Sequence, residues 1–333
     1  MATLGELGKM NDKDLRKHLL NKIFGKTSPS EESKKFVNYL EDFISTKSNK
    51  GTLSLYNTTK RKILNFDKDC TFETIDKKWL LNFEKHLIDS GLKINAYALH
   101  LRNIRAVFNY AIDEELTTSY PFRKFRIKKE ETSKRCLTIE QLRMFREYPC
   151  ENHQKRYRDI FILIFYLIGI NIGDLLELKP GNLVNGRIEY HRKKTHKLYS
   201  IKVEPEAMEI INRYKGVNYL LNIMDEYQDY QNFTHRMNLV LKQIGEVKLV
   251  EKKIKGKKRI TKEYKPLFAH ISSYWARHTW ATIAASLDIP KETISEALGH
   301  EIGSNITSIY IKFDRKKVDE ANRKVIDYIN SLK

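Results

Sequence analysis

The sequence predicts a mainly α-helical protein with a small β component, built as two domains. Apolar residues from Glu32 to Glu115 recur at helical spacing, and the second half opens on an apolar run, Ile160 to Ile170. Alternation with a period of two is confined to two places, residues 187–203 and 247–264. At 333 residues the chain is long for a single core, so two compact domains are the default.

Residues 1–32 read as a short helical extension, with Leu15, Leu19 and Ile23 on one face before Gly25 and a Ser/Pro stretch. Phe36, Tyr39, Leu40 and Phe43 then fall at i, i+3, i+4 and i+7, one buried helix face. Further helical runs cover Leu53 to Phe66, Lys77 to Ser90 and Asn95 to Glu115, with Gly91 as a stop signal. Together they describe a small all-α domain over residues 33–121. Residues 122–136 carry Arg123, Lys124, Arg126, Lys128, Lys129, Lys134 and Arg135 with little apolar content, and read as a basic linker. The second domain covers residues 137–333. It opens with Thr138 placed to cap a helix and Gln141 three residues on. Ile160 to Ile170 is apolar all round, as in a helix buried within a core. Residues 187–192 and 198–203 pair as a hairpin, and Val247 to Tyr264 form a second, loaded with Lys252, Lys253, Lys257 and Lys258. Helices dominate from Ser272 onward. In the last, Val318, Ala321, Val325 and Ile329 share a face that serves either a neighbouring protomer or its own domain.

Composition narrows the partners. The formal net charge of +19 calls for a polyanion, nucleic acid first. No basic amphipathic helix with a strong apolar face stands out, which argues against lipid. Cys70, Cys136 and Cys150 are odd in number and far apart, fitting neither a disulfide framework nor a metal-ligand spacing. Asp-Lys-Asp triplets at Asp12 and Asp67 stand apart from any His or Glu cluster, so no metal site is expected. Met1 to Lys17 is polar and mixed in charge, unlike a signal peptide, and Ile160 to Ile170 is too short to span a bilayer. A cytoplasmic protein without cofactors is expected.

The last third holds the chemistry. Tyr274-Trp275-Ala276-Arg277-His278 is followed by Leu298-Gly299-His300 and then Ile309-Tyr310-Ile311. An arginine, a histidine and a tyrosine in that order, late in a very basic chain, suit metal-free chemistry on a phosphodiester. The stretches SYWARHTWAT, ALGH and SIYIKFD resemble the catalytic half of the tyrosine recombinases, the integrases of phages and conjugative transposons. The resemblance covers roughly residues 33–325 and is densest after residue 160. It implies a SAM-like helical core-binding domain, a linker and a mixed α/β catalytic domain that close around duplex DNA. It also implies strand cleavage and rejoining through a 3′-phosphotyrosyl link, without metal or ATP, by four protomers on a synapse, with a monomer as one option in free solution. Thirty residues are too few for the arm-binding domain that many relatives carry.

Residue by residue, the resemblance makes Tyr310 the nucleophile, Arg277 the second phosphate-clamping arginine, and His300, just past the cap glycine Gly299, a third site residue. Lys194 matches the hairpin lysine that protonates the leaving 5′ oxygen, although Lys193 and Lys197 beside it also fit a solvated basic turn. His278 reads as packing. Asp174 matches an acidic brace, with helix N-terminal capping as the alternative. Two positions depart from the family pattern. Tyr274 stands where a histidine is usual, and it can still donate to phosphate. Asn171 stands in the first-arginine slot and removes a full positive charge. Arg192, placed by strand alternation on the face of Lys194, is a candidate replacement. The linker cations and the hairpin lysines are expected on the DNA backbone. Two other readings stand beside the recombinase: a catalytically weakened relative that only binds DNA, and a helix-turn-helix regulator built on Thr279 to His300.

Overall fold

The computed structural model describes residues 35–132, 135–254, 257–299 and 315–331. Two compact units divide between Thr132 and Ser133.

Among the described residues of the first unit are four α-helices: α1 (Phe36–Ser45), α2 (Lys50–Phe66), α3 (Lys77–Asp89) and α4 (Ile94–Asp113). Side chains start two of them. Asn49 accepts from the Gly51 and Thr52 N–H groups, and Asp76 from that of Trp79. Gly91, at φ +85, ends α3 as its position predicts. Phe36, Phe72 and Phe108 meet with ring centroids 5.0 to 5.6 Å apart at the centre of the core. A buried polar cluster ties α2 to α4: the Thr59 hydroxyl oxygen accepts from Asn103 at 2.8 Å and lies 2.9 Å from His100 Nδ1. The stretch expected as a linker belongs to this unit as far as Glu130. Phe122 and Phe125 are buried in its core, and Asn95 bonds both the N–H and the carbonyl of Glu130. Aromatic residues spaced between the cations anchor the segment, which its basic composition concealed.

The second unit begins with α5 (Ile139–Glu147), opened by the expected capping box of Thr138 and Gln141. Next, α6 (Asn152–Tyr166) carries the apolar run but is shifted from the 160–170 expectation. Glu151 and Gln154 form a capping box upstream, and Ile168 and Gly169 turn left-handed downstream, at φ +58 and +68. A short α7 (Ile172–Leu176) leads to an antiparallel sheet of β1 (Leu183–Val184), β2 (Arg187–His191) and β3 (Leu198–Lys202) in that order. In the β2–β3 pair, Arg187 faces Lys202 and His191 faces Leu198. Three helices follow: α8 (Pro205–Arg213), α9 (Ile223–Glu226) and α10 (Tyr230–Leu241). Among the described residues, strands β4 (Gly245–Ile254) and β5 (Lys257–Pro266) pair only with each other. Finally come α11 (Trp275–Ser286), α12 (Lys291–Ala297) and α13 (Arg315–Ser331).

Helix α13 packs against its own unit, which decides between the two uses of its apolar face. Ala321, Val325, Ile326 and Ile329 are buried in the core. Asn322 accepts from the Trp280 indole at 2.9 Å and donates to the Tyr166 carbonyl at 3.0 Å, joining α13 to α11 and α6. Arg143 bonds the Tyr328 and Ile329 carbonyls, and Arg187 pairs with Asp319. Trp280 and Ile283 of α11 and Ile294 and Ala297 of α12 are spent on the core. No described helix is long and apolar enough to cross a membrane.

Asn322→Leu fills the same space but strands the Trp280 N–H and the Tyr166 carbonyl. Roughly 2–4 kcal/mol of stability should be lost, read by chemical denaturation of the whole chain. A loss within error would show that the pair is solvated rather than buried.

Candidate active site and nucleic-acid interface

Arg277 lies in the first turn of α11 and is buried, at 9% exposure. A buried guanidinium needs acceptors, and two backbone carbonyls supply them. Its Nη1 donates to Gly169 at 2.8 Å, and its Nη2 donates to Leu298. Burial first, and then the neighbouring positive charge of Arg192, lower its pKa from the usual arginine value. The turn after α6 is shaped to this helix: a Cβ built on Gly169 would lie 2.5 Å from the Arg277 Cα. Ile168, a β-branched residue at positive φ, shows strain at the same turn.

Asn171 is committed to another task. It caps α7, its side chain accepting from the Gly173 N–H at 2.9 Å. Asp174 is therefore not the cap of this helix. It sits in the first turn and reaches the β2–β3 turn, accepting from the Lys193 N–H at 3.3 Å and lying 4.0 Å from Arg192 Nε. Burial raises its pKa, opposed by the Lys193 N–H and by the charges of Arg192, Lys193 and Arg277. The buried carboxylate thus lies beside Arg192, with the Arg277 charge acting on it more weakly.

Strand alternation does not position Arg192. β2 ends at His191, and residues 192–197 form a tight turn in which Arg192 N–H donates to the Lys197 carbonyl and His196 N–H returns to that of Arg192. The turn sends Arg192 inward toward Asp174 and leaves Lys194 exposed. It also separates the three lysines. Lys193 pairs with Glu177 and Lys197 with Glu296 at 3.2 Å, whereas Lys194 forms no ion pair with any described residue. Tyr274, the residue before α11, is 56% exposed, its ring edge-on to His278 at 4.7 Å. It is near enough to act on the Arg277 charge. The structure therefore brings together Arg277, Asp174, Arg192 and Tyr274. His300 and Tyr310 lie outside the described residues.

Beneath the cluster, Tyr190 and Tyr199 stack at 5.3 Å, and the Tyr199 hydroxyl donates to the Leu298 carbonyl at 3.1 Å. Sequence reasoning missed this contact, because 99 residues separate its partners.

A basic cleft of about 470 Å³ lies within the first unit. Arg123, Lys124, Arg126, Lys128 and Lys129 line it, and Arg102 and Arg105 of α4 join them. Those two are spaced i, i+3 on a helix face, a signal that was present and unused. Lys128 lies 3.4 Å from the buried carboxylate of Glu84, so part of its charge is neutralised. On the β4–β5 hairpin, Lys258 pairs with Glu251 and Lys262 with Glu151. The side chains of Lys252, Lys253 and Lys257 lie outside the described residues.

A comparison with curated proteins returned no match. Solved structures share the fold. A lambda integrase dimer bound to a COC′ core site aligns with TM-score 0.60 and 18% identity, covering 80% of this chain and 94% of that one. A lambda integrase tetramer bound to a Holliday junction gives 0.59 and 17%, covering 92% and 88%. The Tn1549 transposon integrase in complex with circular intermediate DNA gives 0.59 and 16%, covering 87% and 99%. Residues 35–127 match the family model described as Phage integrase SAM-like domain. Residues 135–317, more than half of the chain, match that of the Phage integrase family and span the turn at Gly169, the β2–β3 hairpin and Arg277. The chain belongs to the phage integrase family, the tyrosine recombinases.

Proposed function

We propose that this chain is a site-specific DNA recombinase of a mobile element, which cleaves and rejoins strands through a 3′-phosphotyrosyl intermediate without metal or ATP. The observation that carries the reading is the buried Arg277, held by two carbonyls with guanidinium donors to spare, in one cluster with Arg192, Asp174 and Tyr274. The Tyr310 hydroxyl gives up its proton to solvent as its oxygen attacks phosphorus and forms the phosphotyrosyl bond, while the bond to the 5′ oxygen breaks. Lys194 gives that oxygen its proton. Arg277 and Arg192 face the charge on the non-bridging oxygens, and Tyr274 and His300 add hydrogen bonds. Asp174 holds Arg192 and the hairpin turn in place. Religation reverses the step with a new 5′ hydroxyl, so the bond energy is kept and no nucleotide is consumed. The substrate is double-stranded DNA, and four protomers on a synapse are the expected assembly.

A second reading has one observation behind it. Asn171 is occupied as a helix cap and brings no charge to phosphate. If Arg192 did not replace the missing cation, the chain would bind DNA and cleave poorly.

Tyr310→Phe should abolish covalent protein–DNA adducts on a nicked suicide duplex carrying the ends of the encoding element, and leave binding within about twofold because only the attacking oxygen is lost. Adducts run on a denaturing gel and a mobility shift measure the two effects. Adducts that persist in the Phe variant would remove Tyr310 as nucleophile.

Arg192→Ala should slow single-turnover cleavage on the order of a hundredfold, the usual cost of losing one preorganised donor. Adding Asn171→Arg should restore part of the rate. Wild-type rates from Arg192→Ala would dismiss Arg192 and leave the family assignment intact. An inactive wild type on its own site would favour the binding-only reading.

Neutralising Arg102, Arg105, Arg123 and Arg126 together should weaken binding to all sequences alike. The slope of log affinity against log salt should flatten by roughly one unit for each phosphate left without its cation. The same treatment of Lys252, Lys253, Lys257 and Lys258 tests the hairpin. An unchanged slope for either set would show that it does not touch the DNA backbone.

A further inference from the structure

We propose that Tyr199 is a positioning residue for Arg277, acting through the Leu298 carbonyl. Two donors converge on that oxygen: the Tyr199 hydroxyl at 3.1 Å, and Nη2 of Arg277. Leu298 closes α12, so its carbonyl has no partner within the helix and is free to accept both. The place is made for the phenol. Gly299 follows at φ +67, and a Cβ built there would fall 1.4 Å from the Tyr199 oxygen, so the hydroxyl fills the space of the missing side chain. Stacking on Tyr190 fixes the ring from behind, and the ring is buried at 9% exposure. A second link, Lys197 to Glu296, joins the same hairpin to the same helix.

The consequence is geometric. Arg277 can aim at a phosphate only as firmly as its two carbonyl acceptors are held. Gly169 is held by its turn against α11. Leu298 ends a helix, and the Tyr199 hydroxyl holds its carbonyl from a strand rather than from Arg277's own element. The same strand pair carries the turn with Arg192 and Lys194. Tyr199 therefore ties the aim of the clamp to the hairpin that brings the proton donor. The inference rests on reading Arg277 as the phosphate clamp.

Tyr199→Phe keeps the ring stack and deletes only the hydroxyl. Single-turnover cleavage of a nicked suicide duplex should fall roughly tenfold or more, as small misplacements of a reacting group do, with DNA affinity and melting temperature close to wild type. The decisive arm replaces one non-bridging oxygen at the scissile position with a methyl group. The neutral methylphosphonate has no charge for the clamp to meet, so the variant should then cleave within about twofold of wild type. An equal deficit on both substrates would reveal a merely structural residue and overturn the assignment, as would equal rates on the phosphodiester. A wild type that cleaves neither substrate overturns the recombinase reading and this one with it. Wild-type cleavage with an unaffected variant removes Tyr199 alone.

Discussion

A guanidinium taken out of water is the constraint around which the catalytic unit is arranged. An unpaired buried charge costs several kcal/mol, and on the proposed reading a carboxylate in full contact would neutralise the charge meant for phosphate. Arg277 meets the problem with dipoles, binding the carbonyls of Gly169 and Leu298. Two backbone segments must then come within reach of one side chain. That requirement accounts for the missing side chain at Gly169, the strained Ile168 and the left-handed Gly299. Asp174 stays one step removed, beside Arg192.

The cations fall into two populations with different physics. Arg102, Arg105 and the residues 123–129 line an open cleft in water, where each charge is screened. Arg277 and Arg192 are partly or wholly desolvated, so each is worth more and has fewer permitted positions. On the proposed reading, affinity is spread over many replaceable residues in the first unit. Rate, on the proposed reading, rests on a few residues in the second that cannot be moved.

That division explains what was legible in the sequence. Arg277 and the motif order around it could be read because chemistry restricts residue type and short spacing together. Thr138 with Gln141 and the stop at Gly91 were legible because capping is local. The misreadings came from competition between signals. Phe122 and Phe125 anchor a segment whose charge suggested a free linker. The run from Ile160 to Ile170 is uniformly apolar, so periodicity could not say that the helix stops at Tyr166 and turns at Ile168. Arg192 was placed near the site by an alternation argument, yet a turn puts it there. The Tyr199 to Leu298 bond has no local signature, since it is a tertiary contact between a strand and a distant helix end.

Asn171 shows how one position can serve either structure or charge. Helix α7 spans only five residues, too few to hold itself by its own hydrogen bonds, so a cap matters more to it than to a long helix. Asparagine supplies that cap, and arginine has no acceptor with which to do so. On the proposed reading, the cation that Asn171 does not supply comes from the β2–β3 turn, which reaches α7 through Asp174. The transfer changes more than the address of a charge. On the proposed reading, Arg192 and Lys194 ride on one turn, held at its base by Asp174, by Lys197 with Glu296, and by Tyr199 with Leu298. A first arginine on α7 would meet the phosphate independently of the proton donor. Here half of the clamp and the general acid arrive together, so misplacing the hairpin disables both and seating it on DNA completes both.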